Sequence, residues 1–411
     1  MSGSKISFRQ RISLEAYRSY RRKCVAEHKL NTLFWECTLK CNLACKHCGS
    51  DCHVDSAAKE LSGEEFLRVV DSITPHVDPH KVLVIFTGGE ALVRQDLDGI
   101  GLELYRRGYP WGIVTNGMLL NEERLESLLR SGLHSLTISL DGFEEAHNYL
   151  RGHHLSFARA SHAVELMAKT EQVRWDVVTC VNPMNFGYLA EFRDYLIGLG
   201  LKEWRLFTIF PVGRAAEDPN LQLSDVDFYR LMEFIRDTNR EGRIAASYGC
   251  EGFLGGFEGE VRPHPYTCYA GVEVASILCD GTISACPSIR FDYKQGNVRE
   301  DDFWTVWQNR FLPYRDRSWA RRDQCADCLQ WRYCEGNGMH LHDDEGKLLF
   351  CHHQRNDGLG VDDLPRLHHC KSIGKRHLNH IDKFVFIGML RTDRQPVREI
   401  EMNVLIRKAD R

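Results

Sequence analysis

Five cysteines fall within sixteen residues in the stretch CTLKCNLACKHCGSDC, at positions 37–52. Three kinds of chemistry would explain this density of thiols: disulfides, a zinc site or an iron–sulfur cluster. Cys41, Cys45 and Cys48 follow a C-x3-C-x2-C spacing, whereas structural zinc sites usually combine two separated Cys or His pairs. One compact loop with three thiolates can hold a 4Fe–4S cluster and leave the fourth iron open. The spacing alone still leaves zinc and other thiol roles open.

A second group of cysteines lies in the C-terminal half of the chain, where long helical patterns are rare. It begins with a Cys and a Gly-x4-Cys unit and ends with a C-x2-C-x5-C run and a more distant cysteine. Taken alone, the later part also fits a four-thiolate zinc knuckle. Metal binding would stabilise a small core in either case. The residues concerned are Cys268, Gly281, Cys286, Cys325, Cys328, Cys334 and Cys351.

The composition is that of a globular protein without a nucleic-acid or membrane-surface partner. The 411 residues are 43% hydrophobic and 27% charged, and the formal net charge is −4. The N-terminus has no signal-peptide core, and no run approaches the roughly 18 apolar residues that a membrane span requires. The sequence therefore predicts a cytoplasmic protein, in which thiols stay reduced. Sixteen cysteines in that setting favour metal ligands over disulfides.

Short strand-like runs alternate with helical segments through the first part of the chain. Alternation of this kind predicts βαβ units, a parallel sheet and an open barrel or doubly wound sheet. Polar and Gly-rich residues follow the strands, at the edge where α/β proteins bind ligands. The strands are predicted at 32–36, 82–87, 111–115, 136–140, 175–180 and 204–209, with helices such as 62–73 and 121–132 between them.

These patterns predict an α/β fold in four parts. An N-terminal helical segment, 1–30, precedes a partial (β/α)6 TIM-like barrel over 31–245. A small cysteine-rich domain follows at 246–355. A C-terminal extension, 356–411, carries no functional signal, although two strands are predicted in it, at 383–390 and 399–406.

The first cysteine loop and three later motifs together resemble the radical S-adenosylmethionine (SAM) superfamily. The loop, CNLACKHC, matches the signature C-x3-C-x-aromatic-C except that His47 stands at the aromatic position. A GGE motif follows the second predicted strand, a TNG motif the third and an SLDG motif the fourth. Each motif alone is better explained as a turn or a strand end. Their joint order carries the resemblance.

The resemblance implies that Cys41, Cys45 and Cys48 hold a 4Fe–4S cluster whose open iron binds SAM. It further implies that glycines let the backbone approach closely, that a carboxylate helps to hold the SAM amino group, and that an arginine can pair with the SAM carboxylate. The residues implied to bind SAM are Gly88, Gly89, Glu90, Thr115, Asn116, Ser139, Asp141 and Arg151.

The second group of cysteines resembles the SPASM domain, which carries two auxiliary 4Fe–4S clusters in enzymes that modify peptides and proteins. The resemblance implies a distal cluster held by four thiolates. The nearer cluster would be held by three thiolates. The distal ligands are Cys325, Cys328, Cys334 and Cys351, and the nearer ones are Cys250, Cys268 and Cys286.

Two departures from the SPASM pattern affect what can be expected. Gly338 stands where the family has a further cysteine, so the nearer cluster has either an open iron or another fourth ligand, for which Cys279 is a candidate. Pro287 follows Cys286, where sulfatase-maturing members carry an aspartate base. Formylglycine formation is therefore not the expected reaction.

The two resemblances imply a radical SAM enzyme with SAM and three 4Fe–4S clusters as cofactors. The expected reaction is reductive cleavage of SAM to a 5′-deoxyadenosyl radical, which takes hydrogen from a ribosomally made peptide or protein. A flavodoxin-type or ferredoxin-type partner would supply the low-potential electron. A finer likeness is to Bacteroidetes-type maturases of peptide or lipoprotein systems. The alternatives are a radical SAM enzyme acting on a small metabolite and, from another class, a zinc-stabilised scaffold or binding protein.

Overall fold

The computed structural model describes residues 6–57, 59–249 and 252–357. Ten strands form one sheet in the order β10-β9-β8-β1-β2-β3-β4-β5-β6-β7. The pairs from β8 through β1 to β7 are parallel, and the two pairs β8–β9 and β9–β10 are antiparallel. The strands are β1 Thr32–Thr38, β2 Leu83–Gly88, β3 Trp111–Thr115, β4 Leu133–Ser139, β5 Arg174–Val181, β6 Glu203–Thr208, β7 Ala245–Tyr248, β8 Val274–Ile277, β9 Thr282–Ser284 and β10 Gly296–Asn297.

Helices connect the parallel strands, so the expected mixed α/β fold is confirmed. Two of the predicted helices begin at the capping residues that the sequence offers. Ser62 accepts from the Glu65 N–H, and Asn121 from the Arg124 N–H. The α-helices are α1 Phe8–Glu27, α2 Gly63–Ile73, α3 Leu97–Arg106, α4 Glu122–Arg130, α5 Glu144–Arg151, α6 Ser156–Ala168, α7 Pro183–Phe186, α8 Leu189–Gly198, α9 Asp225–Glu241, α10 Phe303–Asn309, α11 Leu312–Arg315, α12 Trp331–Cys334 and α13 His352–Asp357.

The two faces of the parallel sheet differ in character because side chains alternate along each strand. One face packs against helices and is apolar: Trp35, Phe66, Phe86 and Trp111 form a chain of aromatic contacts. The other face carries polar side chains, including an ion pair between Asp176 and Arg205 of neighbouring strands. The apolar face holds the sheet on its helices.

The cysteine-rich C-terminal part adds strands to the sheet. Its strand β8 pairs in parallel with β1, with Thr32 opposite Val274 and Trp35 opposite Ile277. The N-terminal helix α1 joins this part as well, since the Tyr333 hydroxyl donates to Glu15 at 2.7 Å. The two cysteine regions of the chain are therefore neighbours across β1.

Within the described residues, no helix has the length and apolar character that a membrane span requires. The predicted strands at 383–390 and 399–406 lie outside the described residues, as does Cys250.

Candidate functional site

The first cysteine loop follows the carboxyl end of β1, and donor groups surround its sulfur atoms. Cys41 and Cys45 are 8% and 9% exposed. The Cys52 N–H donates to Cys48 Sγ at 3.4 Å, and Asn116 Nδ2 donates to Cys41 Sγ at 3.8 Å. Thiolate sulfur is the form that accepts such bonds best and that binds iron. The loop is therefore suited to hold a cluster through sulfur.

The GGE loop after β2 packs directly against the cysteine loop. Gly88 has φ +120°, and a Cβ there would overlap the carbonyl oxygen of Thr38; a Cβ at Gly89 would overlap that of Lys40. The Gly89 N–H donates to Thr38 O at 2.7 Å, and the Glu90 N–H donates to Lys40 O at 3.0 Å. The glycines thus bring the GGE loop and the cysteine loop together, a close approach that only glycine permits.

Glu90 is fully buried and anchors the TNG loop. Its carboxylate accepts from Thr115 Oγ1 at 2.8 Å, from the Asn116 N–H at 2.7 Å and from the Leu92 N–H at 3.2 Å. Burial raises the pKa of Glu90, and these donors oppose that rise. The structure thus gives Glu90 a clear positioning role beside the SAM-binding role that the sequence implies.

The SLDG motif and α5 bring a buried ion pair to the same edge. Arg151 Nε donates to Asp141 at 2.6 Å, and Arg151 Nη1 donates to Cys45 Sγ at 3.8 Å. Burial would raise the pKa of Asp141, but Arg151, His47, His147 and the Cys180 N–H together outweigh it, and the pKa is lowered. Ser139 ends β4 beside this pair and is half-buried. The arginine therefore reaches the cysteine loop while its charge is balanced by Asp141.

His47, at the aromatic position of the signature, is a half-buried neutral imidazole. Its Nδ1 has no hydrogen-bond partner among the described residues. Burial and the neighbouring Arg151 lower the pKa of His47 to about 4. The ring therefore offers an uncharged surface in the place where the family has an aromatic side chain.

Arg214 is a site residue that sequence reasoning missed. It lies in the loop after β6, where its Nε donates to Cys45 O at 2.8 Å and its Nη1 to Asp51 at 2.6 Å. The preceding Gly213, at φ +59°, packs against the backbone of Cys48. The sequence signal for Arg214 was its position in a Gly-Arg pair after the sixth strand. That position places Arg214 at the carboxyl edge of the sheet but does not identify the cysteine loop as its partner.

The cysteines of the C-terminal part lie in two further groups. Burial raises the pKa of Cys286, and the nearby Cys268 thiol raises it further. In the other group, burial and the thiols of Cys351 and Cys328 raise the pKa of Cys325 to about 11. Burial also raises the pKa of Cys334, and the thiols of Cys351 and Cys325 raise it further. Thiols that shift one another in this way lie close in space.

The structure brings together some of the cysteines that the SPASM resemblance implies as ligands. One group contains Cys268 and Cys286, and Cys250 lies outside the described residues. Cys279, the candidate fourth ligand, is buried against Glu36. Among the described residues, no three His, Cys, Asp or Glu side chains converge closely enough for one metal ion. The donor set itself, thiols that accept N–H hydrogen bonds, fits iron–sulfur clusters.

An ion pair joins β1, which leads into the first cysteine loop, to the segment that follows Cys286. Arg290 lies four residues after Cys286, and its Nη2 donates to Glu36 of β1 at 2.6 Å. Glu36 is 2% exposed and its Cγ lies against Gly88. The pair therefore stands between the GGE loop and the loop of Cys286.

Comparison with known families and proteins agrees with this geometry. Residues 35–196 match the radical SAM superfamily, and residues 268–329 match SPASM, an iron–sulfur cluster-binding domain. An AdoMet-dependent heme synthase from Methanosarcina barkeri is 26% identical over 74% of this chain and 89% of its own length. Mycofactocin maturase MftC from Mycobacterium ulcerans is 29% identical over 76% of this chain and 85% of its own.

The fold is shared with solved structures. SuiB from Streptococcus suis, bound to S-adenosylmethionine, has a TM-score of 0.61 at 17% identity and covers 76% of this chain and 74% of its own. The same protein bound to its precursor peptide SuiA has a TM-score of 0.60 at 19% identity, over 77% and 74% of the two chains. At this level of identity the likeness establishes the fold.

Proposed function

Because the chain is a radical SAM enzyme that carries a SPASM domain and uses SAM and 4Fe–4S clusters, we propose that it modifies a ribosomally made peptide or protein by hydrogen abstraction. The observation that carries the proposal is the meeting of four motifs at one edge of the sheet. The cysteine loop, Glu90, Asn116 and Arg151 are joined by direct hydrogen bonds. We propose 31–245 as the radical SAM region and 246–355 as the SPASM region.

The residues of the first loop have distinct proposed roles. Cys41, Cys45 and Cys48 would hold a 4Fe–4S cluster, which with SAM and a low-potential electron would supply the chemistry for hydrogen abstraction. Asn116 and Arg151 donate to the ligand sulfurs and hold the thiolates in place. The buried edge excludes water from the reacting groups.

The positions implied to bind SAM surround the same loop. Gly88 and Gly89 set the distance between the GGE loop and the cysteines, and Glu90 orients the TNG loop. We propose that the backbone carbonyls and the carboxylate at this edge receive the SAM amino group. We propose that the Arg151 guanidinium at this edge attracts the SAM carboxylate. The full proposed SAM set is Gly88, Gly89, Glu90, Thr115, Asn116, Ser139, Asp141 and Arg151.

The C-terminal cysteines are proposed to hold two auxiliary clusters, which gives three in all. Four thiols would close the distal cluster. The nearer one would keep an open iron or take another ligand, because Gly338 replaces a family cysteine. An open iron would bind a substrate thiolate, and the distal cluster would carry away the electron of a substrate radical. The ligands are Cys325, Cys328, Cys334 and Cys351 for the distal cluster and Cys250, Cys268 and Cys286 for the nearer one.

The peptide substrate is supported by the relatives that are named as peptide-modifying proteins, such as mycofactocin maturase and PqqA peptide cyclase. A second candidate is a small metabolite, supported by the relatives named AdoMet-dependent heme synthase. In both cases we propose a cytoplasmic enzyme that receives its electron from a flavodoxin-type or ferredoxin-type partner.

Co-expression with a peptide encoded beside this gene separates the two candidates. Mass spectrometry of the recovered peptide should show a mass change that is absent with a variant carrying Cys41→Ala, Cys45→Ala and Cys48→Ala. An unchanged peptide, together with deoxyadenosine release that rises when the ultrafiltered small-molecule fraction of a cell extract is added, would favour the metabolite. The inactive variant controls for modification by host enzymes.

A further inference from the structure

Asn337 is a buried residue beside the distal cysteines that no motif accounts for. It is 1% exposed and follows Cys334 by three residues, with φ +63°, a backbone region that asparagine tolerates better than most residues. Its backbone N–H donates to Cys334 Sγ at 3.2 Å. The turn is thus shaped around a ligand sulfur.

The side-chain amide of Asn337 is held in one orientation. Its Oδ1 accepts from the Phe253 N–H at 3.0 Å and from the Cys334 thiol at 3.3 Å. A Cβ at the neighbouring Gly252 would lie 2.8 Å from that oxygen, so the chain passes close to the amide. Because Oδ1 is engaged there, the Nδ2 group must face away from Phe253.

The Nδ2 group has no hydrogen-bond partner of standard geometry among the described residues. An unsatisfied buried donor costs about 1–3 kcal/mol, and native structures contain few of them. A group of this kind calls for a partner that belongs to the site. The sulfur atoms of a bound cluster are acceptors of the right type.

Cys334 places Asn337 at the distal cluster. The Cys334 Sγ lies 3.2 Å from the Asn337 backbone nitrogen and 3.3 Å from its Oδ1. Asn337 therefore contacts one of the four proposed ligands of that cluster.

We propose that Asn337 is a positioning residue that donates an Nδ2–H···S hydrogen bond to a sulfur of the distal cluster, and so raises the reduction potential of that cluster. The inference rests on the proposed assignment of the distal cluster. A hydrogen bond to sulfur withdraws electron density and stabilises the reduced state, one of the means by which proteins set cluster potentials.

Asn337→Leu is the decisive variant because it keeps the branched shape and similar volume of the side chain, removes the donor and adds no charge. It is made in the full chain with Cys41→Ala, Cys45→Ala and Cys48→Ala, so that only auxiliary clusters contribute to the spectra. Redox titration followed by electron paramagnetic resonance should show a lower midpoint potential with unchanged iron. We expect the ratio of reduced to oxidised cluster at a fixed poise to fall at least tenfold, about 59 mV for one electron.

Asn309→Leu is the matched control, since Asn309 is exposed in α10 and makes the same exchange at the surface. An unchanged potential in Asn337→Leu with full iron would overturn the proposal, as would an equal shift in the control. The iron content of a Cys325→Ala, Cys328→Ala variant tests the cluster assignment separately. If this variant loses no iron, the assignment of the distal cluster is refuted, whatever the result for Asn337.

A second measurement does not depend on the variant keeping its cluster. Protein labelled with ¹⁵N at the asparagine Nδ2 position should show a ¹⁵N coupling to the reduced auxiliary cluster in pulsed electron paramagnetic resonance. Unlabelled backbone nitrogen cannot produce that signal. Absence of the coupling in the parent protein, at full iron content, would also overturn the proposal.

Discussion

Replacing Arg151 by methionine separates its structural role from a role in binding SAM. The guanidinium is 8% exposed and donates to the fully buried Asp141 at 2.6 Å. Removing one partner of a buried ion pair leaves an uncompensated charge and costs about 3–5 kcal/mol. We therefore expect Arg151→Met to lower the free energy of unfolding by that amount. Asp141→Asn in the same chain should restore most of the loss, because neither charge is then left alone.

The assay is denaturant unfolding of the four proteins of the double-mutant cycle, followed by tryptophan fluorescence. The account predicts a coupling between the two substitutions well above 1 kcal/mol, as expected for contacting buried charges. If Arg151→Met unfolds like the parent protein, or if the double variant is no more stable than the single one, the pair does not hold this edge together.

The same pair predicts a dependence on pH. Burial would raise the pKa of Asp141, but Arg151, with His47 and His147, holds it below its ordinary value. The pair therefore contributes stability above the unfolded-state pKa of about 4, and that contribution is lost as the pH falls through the lower folded-state value. Asp141→Asn should lack this acid-dependent loss. SAM titration of the double variant against Asp141→Asn alone then measures the second role, since both proteins lack the carboxylate. An arginine that also binds the SAM carboxylate predicts a roughly 10- to 100-fold weaker affinity in the double variant.

Two further substitutions test the loops that meet the cysteines. Gly89→Ala should lower iron content and cost about 1–3 kcal/mol of stability, because its Cβ would overlap the Lys40 carbonyl. Gly99→Ala, whose Cβ meets nothing within 4 Å, should be neutral or slightly stabilising in the same two assays. Glu90→Gln should cost about 1–3 kcal/mol in denaturant unfolding, because an amide group placed at Oε2 meets the Asn116 N–H. Equal stability of this variant and the parent would show that the carboxylate does not anchor the loop.

The six strands of the first half could be predicted because their signals are local. Each run of β-branched and aromatic residues ends in a turn motif, and the predicted span 111–115 coincides with β3 Trp111–Thr115. The capping residues of α2 and α4 are equally local. The order of the four motifs along the chain then implied that they share one edge of the sheet.

The contacts that sequence reasoning missed join residues far apart in the chain. The pairing of Thr32 with Val274 adds the C-terminal strands to β1, and no local pattern specifies that partner. The pair of Glu36 with Arg290 and the contact of Arg214 with Cys45 are of the same kind. The sequence identified the glycines of the GGE motif as points of close approach, but the structure gives the cysteine loop as what they approach.

Cleavage of SAM is the direct test of the central claim. The protein, reconstituted anaerobically with iron and sulfide and reduced with dithionite, should release 5′-deoxyadenosine and methionine from SAM. A variant carrying Cys41→Ala, Cys45→Ala and Cys48→Ala should release none, although its auxiliary cysteines still bind iron. Absence of deoxyadenosine from the fully reconstituted protein, or equal release by the variant, would contradict the account.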